Sequence, residues 1–368
     1  MNQTYTSPSP RRVNERLRRR RRRTAAIVIF LLAAVLVALL AVYVGLLIRN
    51  RPDNPNGDSQ TTPAPTVTEG APADTTAPDD TTAAPETTAA PETTAAPVIT
   101  YTTINMTRDA ITQGDLVLVN ASFPYTFPAN EKHLTTIYGN KSRGYQIGSA
   151  QDKLDTDALA AWNKAADAFL AETGDGSLLL TNNGGYRSRE AQETLYQKRV
   201  ASVGEAEAAK YVALPGNSEH HTGLAFDLAV YRDGKTYNLG SDELYNWIPQ
   251  NLPRYGFVLR YPADKVNITG ISYEEWHFRY VGIPHAVYMT ENNLCLEEYL
   301  NTLRAYQADG QHLSVTSDGV EYEIWYVPVA EGDVTPIAIP NGVTYSISGN
   351  NMDGFVVTLS RPAADAQQ

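Results

Sequence analysis

Cysteine is nearly absent: Cys295 is the only one in 368 residues, which excludes an internal disulfide framework. Extracellular domains often use disulfides, so any domain of this chain outside the cell must rely on its core or a metal, a habit that leans towards a bacterial surface protein. Acidic residues are missing from the start of the chain. Residues 1–50 hold ten arginines and a single acid, Glu15, for a net charge of +9, which leaves −20 for the rest of a chain whose total is −11. Large apolar side chains are almost missing from residues 51–98, which are Thr, Ala, Pro, Asp and Glu, with TTAAPE at 81–86 repeated at 87–92. Such a stretch cannot bury enough surface to fold, and its nine prolines keep it extended. In polyproline II form it would span on the order of 150 Å.

One long apolar run stands between these segments. Residues 25–48 (AAIVIFLLAAVLVALLAVYVGLLI) carry no charge. As a helix they would be about 36 Å long, against a hydrocarbon core of about 30 Å. A cleavable signal peptide has a shorter apolar core, and a buried soluble helix would show a polar face. The run predicts a single-pass signal anchor. The arginine block then stays in the cytoplasm as a topology signal rather than a nucleic-acid patch, and everything after Arg49 lies outside. The expected organisation is a basic tail (1–24), a transmembrane helix (25–48), a disordered stalk (49–98), a peptidase-type domain (99–306) and a small β-rich C-terminal region (307–368).

Folded sequence begins near Ile99. The pattern predicts a strand over 114–120, a helix over 154–172 and a strand running into a glycine turn over 177–188. A helix follows over 189–212, then strands over 223–230 and 276–282 and a helix over 294–306. This order favours an α+β fold, a small antiparallel sheet with flanking helices carrying a metal site, over a doubly wound sheet. In the C-terminal region Asp318-Gly319 and Asn341-Gly342 mark turns between strands, the second a strong hairpin signal.

The chemistry-bearing clusters are SEHHTGLAFD (218–227), GYRS (185–188) and EEWH (274–277). Metal-assisted hydrolysis needs about three protein ligands with one position left for water. It also needs a nearby carboxylate that is not a ligand, and a cation to steady the developing oxyanion. Each residue alone has a structural explanation: Asp227 could bond a turn, Glu274 could be a solvated loop acid, Arg187 could pair with Glu190. His133, His285 and His312 are expected to be surface or core histidines. The case for chemistry is the co-occurrence of the clusters in one ordered pattern.

That pattern, S-x-H-x2-G-x-A-x-D followed by E-x-W-H, with GYRS and Gln192 upstream, resembles the VanY-type D-alanyl-D-alanine carboxypeptidases of the M15 family of LAS zinc metallopeptidases. The likeness covers roughly residues 112–306. It implies that His220, Asp227 and His277 bind zinc, that Glu274 is the general base, and that Arg187 binds the substrate carbonyl or carboxylate. Ser218, Gln192 and Tyr186 would contact substrate or support its site, and His221 would be a supporting or solvent-facing neighbour. Strict strand alternation places Glu275, not Glu274, on the face of His277, so Glu275 stands in reserve. The implied activity is hydrolysis of the terminal D-alanine of peptidoglycan stem peptides by a monomeric, membrane-anchored enzyme acting outside the cell. An L,D-carboxypeptidase, a murein endopeptidase and a non-catalytic wall-binding module are the alternatives.

Overall fold

The structure, a computed structural model, describes residues 99–241 and 243–363. The predicted basic tail, membrane span and stalk lie outside the described residues; among the described residues no helix is long and apolar enough to cross a membrane.

The chain opens with β1 (Tyr101–Thr107). Residues 116–119, where the sequence predicts a strand, are buried but form no ladder. Leu116 N–H donates to Ser348 Oγ and Leu118 N–H to the Asn350 carbonyl, while Arg279 donates to the carbonyls of Asp115 and Val117. Scattered partners satisfy this backbone in place of a neighbouring strand.

Short strands β2 (Leu134–Thr136), β3 (Gln146–Ile147) and β4 (Lys153–Asp155) lead into α1 (Thr156–Thr173). Asp155 caps this helix by accepting from the N–H groups of Asp157 and Ala158, and Gly174 ends it in the left-handed conformation. Leu159, Trp162, Ala166 and Phe169 recur at helical spacing and are all buried. After β5 (Leu178–Leu180), Ser188 caps α2 (Arg189–Val203) by accepting from Ala191 N–H. The helix predicted over 189–212 stops at Gly204, whose φ of 84° with ψ of 159° no helix tolerates, and only the short turn Glu205–Ala208 resumes.

β6 (Ala225–Arg232), β7 (Lys235–Tyr237), β8 (Phe257–Leu259) and β9 (His277–Tyr280) complete a sheet of order β3-β5-β6-β9-β8, with β7 on β6. Only β3–β5 is parallel. Trp162 and Phe169 of α1 pack onto Leu228, Phe226, Phe257 and Phe278 of this sheet. Burial of side chains this size contributes about 1.5–3 kcal/mol each, which holds β6 and β9 rigidly in place.

The C-terminal part starts with α3 (Ile283–Glu291) and α4 (Leu296–Leu303). The strands β10 (Leu313–Ser317), β11 (Val320–Pro328), β12 (Val334–Pro340), β13 (Thr344–Gly349) and β14 (Gly354–Pro362) follow. Asp318-Gly319, at φ 47° and 74°, forms the two-residue hairpin that pairs β10 with β11. Asn341-Gly342 does not make a hairpin. β12 pairs with β1 and β13 with β14, so this turn carries the chain from one sheet to another. The four-stranded sheet β10-β11-β14-β13 is covered on both faces: by β1–β12 through Trp325, Ile337, Phe355 and Val357, and by α3 and α4 through Met289, Leu300, Ile324 and Val356. The C-terminal sheets are thus completed by a strand from residues 101–107. The α+β class with small sheets holds.

Candidate metal centre and cleft

β6 and β9 are antiparallel neighbours, and their register sets Asp227 opposite His277, which brings the two side chains together on one face. His220 comes from the short helical turn Glu219–Thr222, closed by Gly223 at φ 75°. A Cβ at Gly223 would lie 2.5 Å from Leu134 Cδ2 and 2.9 Å from the Asp155 nitrogen. Backbone conformation and close approach both demand glycine there. His220 Nε2 lies 3.5 Å and His277 Nδ1 3.0 Å from Asp227 Oδ1. One donor atom from each of the three residues falls within 4.8 Å of the others.

The donor set fits a divalent ion. His220 Nδ1 is 2.8 Å from the Gly185 carbonyl. A carbonyl only accepts, so Nδ1 carries the proton and Nε2 turns its lone pair towards Asp227. His277 is arranged in the opposite sense: Nδ1 faces Asp227, while Nε2 is buried without a hydrogen bond, 3.7 Å from the equally unpartnered Oε2 of Glu219. With its proton on Nε2, beside that carboxylate, His277 offers Nδ1 as a ligand. Two imidazoles and a carboxylate form the nitrogen–oxygen set that zinc accepts.

Electrostatics agree. Burial, reinforced by Arg187, pulls His220 down to about 4, so it is neutral as ligation requires. Burial opposes charge on Asp227, yet His220 and His277 hold its carboxyl well below the usual range. Burial also opposes charge on His277, but Asp227 and Glu219 outweigh it and hold the imidazole up at about 9, so a metal binding at Nδ1 would displace the proton that Nδ1 shares with Asp227. The carboxylates around this point favour positive charge.

β9 begins at His277, so strand alternation does not extend to Glu274, which sits in the preceding turn with its carbonyl accepting from His277 N–H. Glu274 is buried, with Oε2 3.8 Å from His277 Nδ1. Glu275 instead turns away and accepts from Gly240 N–H. Burial lifts Glu274 to about 7, with Asp227 adding to the rise and His277 opposing it. A carboxyl at that value can take and return a proton near neutrality.

Arg187 is buried and donates Nε to the Asn183 carbonyl, Nη1 to Gln192 Oε1 and Nη2 to Asp227 Oδ2. Three of its five N–H groups are so engaged, leaving two for a substrate. Gln192 spends its amide on Arg187 and on the Ala213 carbonyl, so it positions the arginine. These residues, with Ser218, His220, Asp227, Glu274 and His277, line one cleft of about 370 Å³. Tyr186 is not among the residues lining it: its hydroxyl donates to Glu131, because neighbouring side chains of an extended turn point to opposite sides. His221 is fully buried rather than solvent-facing. Its Nδ1 lies 2.7 Å from the Arg187 carbonyl and its Nε2 accepts from Gly216 N–H, tying the arginine turn to the metal loop. His285, bonded to Tyr299 and Thr358, and His312, paired with Glu323, serve the C-terminal packing.

Glu219 was passed over by the sequence reading. Its Oε1 accepts from Arg260 Nε and Arg279 Nη1, and all three residues are buried. Arg260 continues to Glu297 on α4. The two arginines hold Glu219 well below the usual carboxylate range against its burial. Its partners lie 41 and 60 residues downstream, so no local signal could have revealed the network.

A family model described as VanY, D-alanyl-D-alanine carboxypeptidase, matches residues 151–283, a span holding every cleft residue named above. A D-alanyl-D-alanine carboxypeptidase of Enterococcus faecium is 34% identical over 258 residues, covering 69% of this chain and 78% of that protein. The bifunctional D-Ala-D-Ala dipeptidase and D-Ala-D-Ala carboxypeptidase VanXYC of Enterococcus gallinarum is 42% identical over 127 residues, 31% of this chain and 63% of that one. Among solved structures, the vancomycin resistance D,D-dipeptidase VanXYg, in complex with a D-Ala-D-Ala phosphinate analogue, aligns with a TM-score of 0.62 at 37% identity, covering 71% of this chain and 100% of that chain.

Proposed function

The chain belongs to the VanY family of D-alanyl-D-alanine carboxypeptidases, which are zinc metallopeptidases, and from that premise we propose that it removes the terminal D-alanine of peptidoglycan stem peptides. The observation that carries this reading is the convergence of His220 Nε2, Asp227 Oδ1 and His277 Nδ1 beside a buried Glu274 and a partly committed Arg187.

His220, Asp227 and His277 are the residues that would hold the metal. Zinc bound there would act as a Lewis acid, lowering the pKa of a water to about 7 and polarising the scissile carbonyl. Glu274 takes a proton at Oε2 during attack and returns it to the leaving amine, a task that suits its raised pKa. Arg187 directs its two remaining N–H groups at the substrate carbonyl or terminal carboxylate, and its bonds to Gln192, Asn183 and Asp227 hold it still while it does so. Ser218 lines the cleft beside His220 and supports the metal loop or the substrate. The apolar run at 25–48 and the acidic stalk support the further reading that the enzyme is anchored by one span, with this domain outside the cell.

The test is to incubate the zinc-loaded protein with a stem pentapeptide ending in D-Ala-D-Ala and with the corresponding tetrapeptide, and to follow product masses. Loss of one alanine from the pentapeptide alone is the expected result. Loss from the tetrapeptide would make it an L,D-carboxypeptidase, and internal cleavage an endopeptidase. No change in either with zinc bound would sink the hydrolase reading in favour of a wall-binding module.

A further inference from the structure

The cleft extends beyond the groups that do the chemistry. Gln192, Leu195 and Arg199 of α2 all line it, at spacings of three and seven that place them on one helical face. Tyr211, Ile271 and Trp276 line the same cleft. This extension has apolar walls and contains one cation. Arg199 lies over the Tyr211 ring at 5.7 Å, which keeps its guanidinium in the cleft. Its Nε is buried without a hydrogen bond, and among the described residues it forms no ion pair. Among the described residues Arg187, Arg232, Arg254, Arg260, Arg279, Arg304 and Arg361 each pair with a carboxylate, whereas Arg199 lines the cleft without one.

Helical geometry sets the distance of this cation from the reacting end. Gln192 is bonded to Arg187, and Arg199 stands two turns further along α2, about 10 Å at 1.5 Å per residue. An extended peptide advances about 3.3–3.6 Å per residue, so that distance is about three residues. A peptide whose terminal residue is held by Arg187, and which runs along α2, brings its residue about three positions upstream under the guanidinium.

We propose that Arg199 is a specificity-determining residue that binds a carboxylate carried by the peptide substrate about three residues upstream of its C-terminal residue. The proposal rests on the peptidase reading for the direction of the peptide, and its test separates the two. The probes are two synthetic pentapeptides ending in D-Ala-D-Ala that differ only in a side-chain carboxylate or carboxamide at that upstream position. Binding by calorimetry and kcat/KM by product mass are measured with the full zinc-loaded chain. The acid peptide should be favoured by roughly tenfold in both, the scale of one charge-assisted hydrogen bond in a partly exposed cleft. In Arg199→Gln the preference should vanish through KM with kcat unchanged, the amide peptide should be handled as before, and Arg199→Lys should keep part of the preference. If neither peptide is cut but the wild type binds the acid peptide more tightly and Arg199→Gln erases this, the hydrolase reading fails and Arg199 stands. Equal binding of the two peptides by the wild type, or a preference that survives Arg199→Gln, overturns the role of Arg199 and leaves the reading of the metal site intact.

Discussion

Glu219 Oε2 and His277 Nε2 face each other at 3.7 Å, both buried and both without another hydrogen-bond partner. The relationship assigns the proton of His277. With Nε2–H turned to a carboxylate pinned by Arg260 and Arg279, Nδ1, which faces Asp227 Oδ1, is the nitrogen left to give up its proton to a metal.

Glu219→Gln tests this. The amide oxygen can still accept from the two arginines, but the amide nitrogen now facing His277 donates and so favours the wrong tautomer. Zinc affinity should fall by roughly 10- to 100-fold, read by competition with a chromophoric chelator. Glu219→Ala should also destabilise the fold, by about 3–5 kcal/mol, because it leaves the buried Arg279 guanidinium without a carboxylate and takes one of two from Arg260. Unchanged zinc affinity in Glu219→Gln would refute the orienting role.

Glu274→Ala should bind zinc like the wild type and lose about 10²- to 10⁴-fold in kcat, the range of general acid–base catalysis. Glu275→Ala, which removes the contact to Gly240 and nothing from the cleft, should keep its activity. The reverse pattern, seen in the same steady-state assay, would move the base to Glu275.

His221→Gln should retain both metal and turnover, since an amide can donate to the Arg187 carbonyl and accept from Gly216 N–H as the imidazole does. His221→Ala leaves both groups buried and unpaired and should cost about 1–3 kcal/mol in denaturant unfolding. Strong metal loss in His221→Gln would mean that it, and not His220, is the ligand.

His285 predicts a pH dependence of stability. Burial holds it down at about 3, against an ordinary value near 6.5. Below pH 6.5 the unfolded chain takes up a proton that the folded chain refuses, so this contribution is complete above 6.5 and is lost as pH falls. The slope is about 1.4 kcal/mol per pH unit between roughly 6.5 and 3. Unfolding of the wild type and His285→Asn at pH 7.5, 6 and 5 should show the variant without this component. Parallel pH profiles would contradict it.

The helix at 156–173 was legible because its signals are local: an aspartate cap, apolar residues at helical spacing and a closing glycine. Asp318-Gly319 was legible as the turn before a strand for the same reason, and the pairing of β10 with β11 makes it a hairpin. Asn341-Gly342 carries an equally strong turn signal, and the turn exists. Which strands it joins was decided elsewhere, by β1, more than two hundred residues upstream, taking the edge of β12. The buried run at 116–119 reads as a strand because hydrophobicity reports burial, whereas its hydrogen bonds go to Ser348, Asn350 and Arg279.

At the site the division is similar. The sequence by itself determined the order of the motifs and set His220, Gly223 and Asp227 within one turn and one strand; the ligand set, with His277 fifty residues on, came from what the resemblance of those motifs implies. It also determined the charge division of the chain and the uncharged run at 25–48. Only the tertiary structure decided which glutamate of the pair enters the cleft, because that depends on where β9 begins. It alone turned Tyr186 towards Glu131 and away from the cleft, buried His221 under Arg187, and set Glu219 behind His277. These are contacts between residues tens of positions apart, and a folded chain fixes them by packing and by the need to pair every buried charge, neither of which leaves a mark on local sequence.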